Sequence, residues 1–204
     1  MKKYLIEFIG TFFLVSTIGL TGNPLAIGVM LTILVYMGGH ISGAHYNPAV
    51  TLSILFKKLI KKKEAVNYII FQLLASFCAA FFVFSLNTEL MHVAPNQSFT
   101  VFQTILCELL FTFLLVLVIL NVATNKKTEG NSYYGLAIGF TVMASAYCVG
   151  GISGGAFNPA VAFGPALLDT FSGEGKDILN LWLYFLGPIF GGLIAFIVDK
   201  YINT

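Results

Sequence analysis

The chain has 204 residues, of which 57% are hydrophobic and only 10% are charged. Ordinary globular chains carry about 25% charged residues, so a chain this apolar could not cover itself with polar surface in water. The composition therefore excludes a water-soluble domain and predicts an integral membrane protein whose outer solvent is lipid.

Spanning a bilayer as a helix takes about 20 mostly apolar residues, and six segments meet that requirement. Two further apolar stretches, at about 47–56 and 158–168, are too short to span. Each opens with Asn-Pro-Ala, where asparagine can cap a helix and proline fits its first turn, so we predict two re-entrant half-helices. The six predicted spans are roughly 4–22, 25–42, 65–86, 100–123, 133–150 and 178–199.

The basic residues predict how the chain is oriented. Because lysines between apolar spans mark the cytoplasmic side, both termini and segments 57–64 and 124–132 are expected in the cytoplasm of a multi-pass protein of the plasma (cell inner) membrane. A nucleic-acid-binding patch is the other explanation of a lysine run, and the flanking spans argue against it. All eleven basic residues are lysines, and all but Lys176 lie near these places: Lys2, Lys3, Lys57, Lys58, Lys61, Lys62, Lys63, Lys126, Lys127 and Lys200.

The sequence repeats itself. Segment 39–50 matches segment 150–161, and Glu7 and Glu108 begin the same Glu-x-x-x-Thr-Phe pattern upstream of each copy. Each half, about 1–99 and 100–204, holds three spans and one half-helix, so the halves of this single domain have opposite orientations. Inverted repeats place a functional site at the membrane midplane, where broken helices meet.

The paired Asn-Pro-Ala motifs predict a pore. Non-helical backbone at membrane depth must be buried in protein or line a water-filled path. The amino ends of two half-helices that face each other each carry roughly +0.5 elementary charge, which opposes cations and protons. We expect the side-chain amides of Asn47 and Asn158 to donate to a passing oxygen and so interrupt proton relay. The motif residues are Asn47, Pro48, Ala49, Asn158, Pro159 and Ala160.

These motifs and the repeated Glu-x-x-x-Thr-Phe pattern resemble those of the aquaporin (major intrinsic protein) family over essentially the whole chain. The resemblance implies an all-α membrane fold of six tilted helices plus two re-entrant half-helices, a pore through each protomer and a homotetramer. It implies passive conduction of small neutral solutes, with no cofactor and no nucleic-acid partner.

Two pairs of polar residues need a separate explanation. Glu7 and Glu108 are carboxyl groups inside apolar spans, where an acid is costly without partners. They could relay protons, but their symmetric placement and the resemblance favour bracing of the loops before the half-helices. His40 and His45 lie on the cytoplasmic approach, either as loop histidines bonded to backbone carbonyls or as a protonation gate. His92 is interpreted as surface.

The family's outer constriction departs from its usual pattern here. Most aquaporins have an arginine after the second motif, and this chain has Val161. By the family's spacing the other wall positions are Ile27, Ala146 and Gly155. Such a ring is wide and apolar, and it should pass larger neutral solutes such as glycerol, urea, ammonia, hydrogen peroxide or metalloid hydroxides, as well as water.

Other positions favour a strictly water-selective channel. The pair Tyr184 and Phe185 resembles the water-channel pattern, and Ala162 lacks the aspartate typical of glycerol facilitators. A secondary transporter and a structural membrane protein remain as alternatives from other classes. No enzyme is expected, because no nucleophile, base and oxyanion constellation is found, and no spacing of histidines or cysteines predicts a metal site.

Overall fold

The computed structural model describes residues 1–203, and over that range the regular structure is helical. Two short 3-10 turns, Lys126–Thr128 and Asp177–Asn180, join the α-helices near the surface. The α-helices are α1 Lys2–Thr21, α2 Pro24–Ser42, α3 Pro48–Phe56, α4 Lys62–Asn87, α5 Val101–Ala123, α6 Tyr134–Ser153, α7 Pro159–Ser172 and α8 Leu181–Ile202.

Six of these helices, all except α3 and α7, are long and apolar enough to cross a membrane. The predicted fold class is confirmed: an all-α membrane protein with six spans and two half-helices in inverted repeats. Large apolar side chains cover the outer surface, as a lipid environment requires; Leu86, Phe102 and Ile197 are each more than half exposed.

Local sequence explains where the helices end. Glycines in the left-handed conformation follow three spans: Gly22 after α1, Gly43 after α2 and Gly154 after α6. A residue without a Cβ adopts this conformation without steric cost, and its N–H satisfies a carbonyl of the last turn. At the start of α5, Thr100 and Gln103 form a reciprocal capping box.

Several predicted boundaries differ from the structure by a few residues; α4 begins at Lys62 rather than 65, and α8 ends at Ile202 rather than 199. Helix α6, predicted as the span 133–150, runs to Ser153, because no residue before Gly154 adopts a conformation that ends the helix. The second half-helix, predicted over 158–168, runs from Pro159 to Ser172. It ends where the N–H of Gly173 donates to the carbonyl of Asp169, four residues beyond the predicted end.

Both ends of the described chain lie on one face of the bundle, here called the terminal face. Lys3 Nζ lies 2.8 Å from Glu64 Oε1 at the start of α4. At the far end of the chain, Lys57 Nζ lies 2.7 Å from Asp199 Oδ2. Asn125 Nδ2 also donates to Asn203 Oδ1 at 2.8 Å. The connections predicted for one side, 57–64 and 124–132, are therefore together with the two chain ends.

The half-helices pack against the spanning helices through pairs of one serine and one glycine. Ser76 of α4 donates its hydroxyl to Ala160 O and accepts from the backbone N–H of Gly164 at 2.9 Å. On the opposite side, Gly192 of α8 approaches Ser53 of α3, whose hydroxyl bonds Ala49 O at 2.8 Å. These close approaches fix the depth of both half-helices.

Candidate functional site

The loop before the first half-helix is built around Glu7 of α1, which is fully buried. Its Oε1 accepts from the Ser42 hydroxyl at 2.6 Å and from the His45 N–H at 3.0 Å. Its Oε2 accepts from the Tyr46 N–H at 2.7 Å and from Gln72 Nε2 at 2.8 Å. Four donors therefore compensate the burial of this carboxyl group.

The second loop repeats this arrangement around Glu108 of α5, which is also fully buried. Its Oε1 accepts from the Ser153 hydroxyl at 2.7 Å and from the Ala156 N–H at 3.1 Å, and its Oε2 accepts from the Phe157 N–H at 2.7 Å. Three donors face Glu108 and four face Glu7, because Pro188 occupies the position in α8 that corresponds to Gln72 in α4.

A tyrosine completes each loop, and of the two only Tyr184 was singled out in the sequence. Tyr68 donates to Ser42 O at 2.7 Å, and Tyr184 donates to Ser153 O at 2.6 Å. Both rings are buried. Tyr184, which the sequence associates with water-channel selectivity, is thus a hydrogen-bonded support of the second loop.

The two half-helices meet through their capping asparagines. Asn47 accepts from the N–H of Ala49 through Oδ1 at 2.8 Å, and its Nδ2 donates to Phe157 O at 2.9 Å. Asn158 accepts from the N–H of Ala160 at 3.0 Å and donates to Tyr46 O at 2.9 Å. Each amide group has two N–H bonds, so one remains on each asparagine for a solute. The other four motif residues are buried beneath the asparagines, as the first turns of α3 and α7.

The loop backbones add acceptors beside the asparagines. Ala44, Tyr46, Gly155 and Phe157 have positive φ angles between 49° and 64°. Within the described residues, the carbonyl oxygens of 43–45 and 154–156 accept no protein hydrogen bond. Ala44, His45 and Ala156 are buried residues. Because buried carbonyl groups are rarely left unpaired, this geometry favours contact with water or another hydroxylic molecule along the loops.

A cavity of about 670 Å³, here called the main cavity, runs from Ala44, Ile119 and Ile138 past the asparagines to the face opposite the termini. Ile27, Ala146, Gly155 and Val161, the four positions of the predicted constriction, all line it. The main cavity reaches the surface beside Gly22 and His92. The structure thus brings the predicted constriction and both asparagines to one continuous space.

A second cavity of about 530 Å³, the terminal cavity, opens toward the terminal face. Its walls include Val35, Gly39 and the loop from Thr124 to Asn131. That loop is held by its own side chains, since Asn131 Nδ2 donates to Val122 O at 2.7 Å. The two cavities together approach both faces of the bundle.

The histidines differ from the expectation for them. His40 is an exposed residue in the last turn of α2 and borders the terminal cavity, so its placement in a loop is wrong. His45 is buried, and its Nδ1 lies 3.1 Å from the hydroxyl oxygen of Thr51. The prediction of a backbone carbonyl partner is therefore wrong for His45, because the half-helix turns Thr51 toward the ring.

His92 is more than the surface residue that the sequence indicates. Its Nδ1 lies 2.8 Å from Asp177 Oδ2, and the ring borders the mouth of the main cavity. The backbone N–H of Asp177 donates to Asp169 Oδ2 at 3.1 Å. Backbone N–H groups that donate to Asp169, chiefly that of Asp177 and then those of Gly175 and Glu174, hold the pKa of Asp169 below its usual range. His92 is 85 positions from Asp177 in the sequence, so no local pattern predicts that it joins Asp169 and Asp177.

A membrane-spanning bundle with two inverted half-helices meeting between two cavities defines the class of membrane channels. Residues 1–199 match the model of the major intrinsic protein family. The chain is 37% identical over 211 residues to a glycerol uptake facilitator protein-like 6 of Lactiplantibacillus plantarum, covering 96% of this chain and 95% of that protein. It is 32% identical over 247 residues to the aquaporin AqpM of Methanothermobacter thermautotrophicus, covering 100% and 98%.

The fold agrees with a solved structure of similar architecture. The X-ray structure of the aquaglyceroporin from Plasmodium falciparum superimposes with a TM-score of 0.85, at 24% sequence identity, covering 98% of this chain and 96% of that one. The chain therefore belongs to the major intrinsic protein family. It is a multi-pass membrane channel for water and small uncharged solutes, and not an enzyme.

Proposed function

We propose that this protein is a passive channel of broad neutral selectivity, conducting water together with glycerol, urea, ammonia, hydrogen peroxide or metalloid hydroxides. The observation that carries the proposal is the continuity of the main cavity past Ile27, Ala146, Gly155 and Val161 to Asn47 and Asn158. None of these four side chains carries a charge or a hydrogen-bonding group, so pore width governs which neutral solutes pass.

Exclusion of protons and cations is assigned to the asparagines. One N–H of each amide group is directed to the opposite loop, which fixes both side chains at the amino ends of α3 and α7. The positive ends of the two helices oppose a cation at the same point. Because Val161 replaces the usual arginine, this barrier acts without a fixed positive charge at the outer constriction.

Glu7 and Glu108 brace the loops in this proposal. Each carboxyl group accepts only from N–H and O–H groups: from the end of a spanning helix, from the loop that follows it and, for Glu7, from Gln72 of α4. The bonds to Tyr46 and Phe157 hold the residues whose carbonyls accept from the asparagines, which is the bracing role.

The orientation and assembly belong to the same proposal. The lysines of segments 57–63 and 126–127 lie on the terminal face together with both chain ends, and the positive-inside rule places that face in the cytoplasm. We assign the protein to the plasma (cell inner) membrane as a single channel domain, surrounded by lipid, that forms a homotetramer as the family resemblance implies. Light scattering of the detergent-solubilised protein tests the tetramer.

The test is stopped-flow light scattering of proteoliposomes. Rapid re-swelling after a glycerol or urea gradient, with a rate proportional to the gradient, is expected for a broad passive channel. Fast water flux without solute entry would instead establish strict water selectivity, and a saturable solute rate would point to a transporter. Empty liposomes give the background.

Val161→Arg tests where the solutes pass. A guanidinium group at this position should narrow the main cavity and reduce glycerol and urea flux more than water flux. Val161→Ile is the matched variant, which adds a methyl group without a charge. Unchanged urea and glycerol flux in Val161→Arg would contradict the place of Val161 in the constriction.

A further inference from the structure

Two cavities approach each other inside the bundle, and the place where they meet is not the predicted outer constriction. The main cavity passes Ile27, Ala146, Gly155 and Val161 without interruption and continues beyond the asparagines. It ends against Ala44, Ile119 and Ile138, and the same three residues line the terminal cavity. The wall between the two cavities therefore lies on the terminal side of Asn47 and Asn158.

The inverted repeat explains why a second ring exists there. The match of 39–50 to 150–161 pairs Ala44 with Gly155, and its extension along α2 and α6 pairs Val35 with Ala146 and Ile138 with Ile27. Both members of each pair border one of the two cavities. A ring near one face must then have a counterpart near the other.

The two rings differ in size in one direction. Ala44 carries one methyl group that Gly155 lacks, and Val35 carries two methyl groups that Ala146 lacks. Positions 27 and 138 are both isoleucine and are similarly buried, with 7% and 5% of their surface exposed. The isoleucine at position 119 likewise corresponds to Ile18 of the main cavity. Every difference therefore makes the ring on the terminal side narrower.

We propose that the size-selecting constriction of this channel is an inner ring formed by Val35, Ala44, Ile119 and Ile138, and not the outer ring of Ile27, Ala146, Gly155 and Val161. The inner ring is entirely apolar, so it selects neutral solutes by their cross-section rather than by hydrogen bonding. The proposal rests on the proposed channel function and names the residues that determine its solute range.

A matched pair of variants tests the inner ring, because Ile138 and Ile27 are chemically identical counterparts. Ile138→Ala should raise glycerol flux relative to water flux by about tenfold, the effect of lowering a barrier by about 1.4 kcal/mol. Ile27→Ala should raise that ratio much less, because it widens a ring that is already the wider one. Ile197→Ala, on the exposed outer surface of α8, makes the same change outside the pore and should leave the ratio unchanged.

A second variant removes the risk that the cavity left by Ile138→Ala destabilises the fold. Ala44 has a φ angle of 51°, which glycine adopts more readily than alanine does, and its counterpart is Gly155. Ala44→Gly should therefore fold normally, widen the inner ring by one methyl group and raise the glycerol-to-water ratio in the same direction. Size-exclusion profiles check that each variant is folded.

The outcomes separate this inference from the proposed function. If the wild-type protein conducts neither water nor glycerol, the channel function itself fails. If the wild type conducts, and Ile27→Ala raises the ratio as much as or more than Ile138→Ala, or Ala44→Gly leaves it unchanged, the inner ring is not the size-selecting constriction. The larger effect of Ile138→Ala, together with a rise in Ala44→Gly, supports it.

Discussion

The contact between α7 and α4 allows a sharp test of how the half-helices are held. A Cβ added at Gly164 would overlap the backbone carbonyl of Ser76 as well as its hydroxyl oxygen. A Cβ added at Gly192, the glycine of the other serine–glycine pair, would lie 2.6 Å from Ser53 Oγ and 3.2 Å from Ala49 O. The first clash is with backbone, which cannot turn aside, and the second is chiefly with a side chain that can rotate.

The expected magnitudes follow from these contacts. In Gly164→Ala, overpacking costs about 1–3 kcal/mol. Separation of the helices also breaks two hydrogen bonds of Ser76, about 1 kcal/mol each. Replacing a helical glycine by alanine returns about 0.5–1 kcal/mol, which leaves a net loss of about 2–4 kcal/mol. In Gly192→Ala, only the hydrogen bond from Ser53 to Ala49 O is lost. The stability gained by replacing a helical glycine with alanine nearly offsets that loss.

Thermal unfolding of the detergent-solubilised variants measures the difference. A loss of this size corresponds to a fall in Tm of about 5–15 °C for Gly164→Ala, and Gly192→Ala should stay within about 3 °C of wild type. Adding Ser76→Gly to Gly164→Ala should not restore Tm, because the clash with the Ser76 backbone remains. Adding Ser53→Ala to Gly192→Ala should remove the clash with the Ser53 hydroxyl. Equal shifts in the two single variants would refute the packing argument.

Three further predictions concern the pore and its outer support. Asn158→Asp should admit cations, measured as a faster proton leak in proteoliposomes; a leak equal to wild type would contradict the barrier at the asparagines. Glu108→Gln replaces an acceptor of the Phe157 N–H by a donor and should lower stability by about 1–3 kcal/mol, measured by thermal unfolding against a surface glutamate variant, Glu129→Gln. The pKa of Asp169 is lowered in the folded protein, so its ionised carboxylate stabilises the fold above about pH 4, and this stabilisation is lost as the pH falls through the folded pKa. Amide hydrogen exchange at Glu174 and Asp177, whose N–H groups bond this carboxylate, should accelerate at that pH in the wild type and not in Asp169→Asn.

Much of the fold could be predicted because its signals are local. Apolar segments of membrane-spanning length, asparagine caps followed by proline, and glycines at helix ends act within a few residues of where they occur. The repeat of 39–50 in 150–161 added the inverted symmetry, and with it the meeting of Asn47 and Asn158. The family assignment has the same origin, since it depends on short motifs that recur at fixed spacing.

The predictions that failed depended on contacts between distant segments. The placement of His40 in a loop was wrong, as the predicted span 25–42 already indicated, because α2 continues to Ser42. The partner of His45 was wrong because Thr51 comes near only once α3 turns back into the bundle. The pairing of His92 with Asp177 joins residues 85 positions apart, and no spacing rule connects them.

By itself, the sequence determined that this chain is a membrane channel with two opposed Asn-Pro-Ala half-helices, because hydropathy, capping and repetition are written in consecutive residues. Only the tertiary structure decided which walls those half-helices face. The approach of Gly164 to Ser76 and the meeting of Ala44, Ile119 and Ile138 arise from helices that pack side by side after folding. The width of a pore depends on such distances between helices as well as on the side chains that line it, and the distances cannot be derived from the residue types alone.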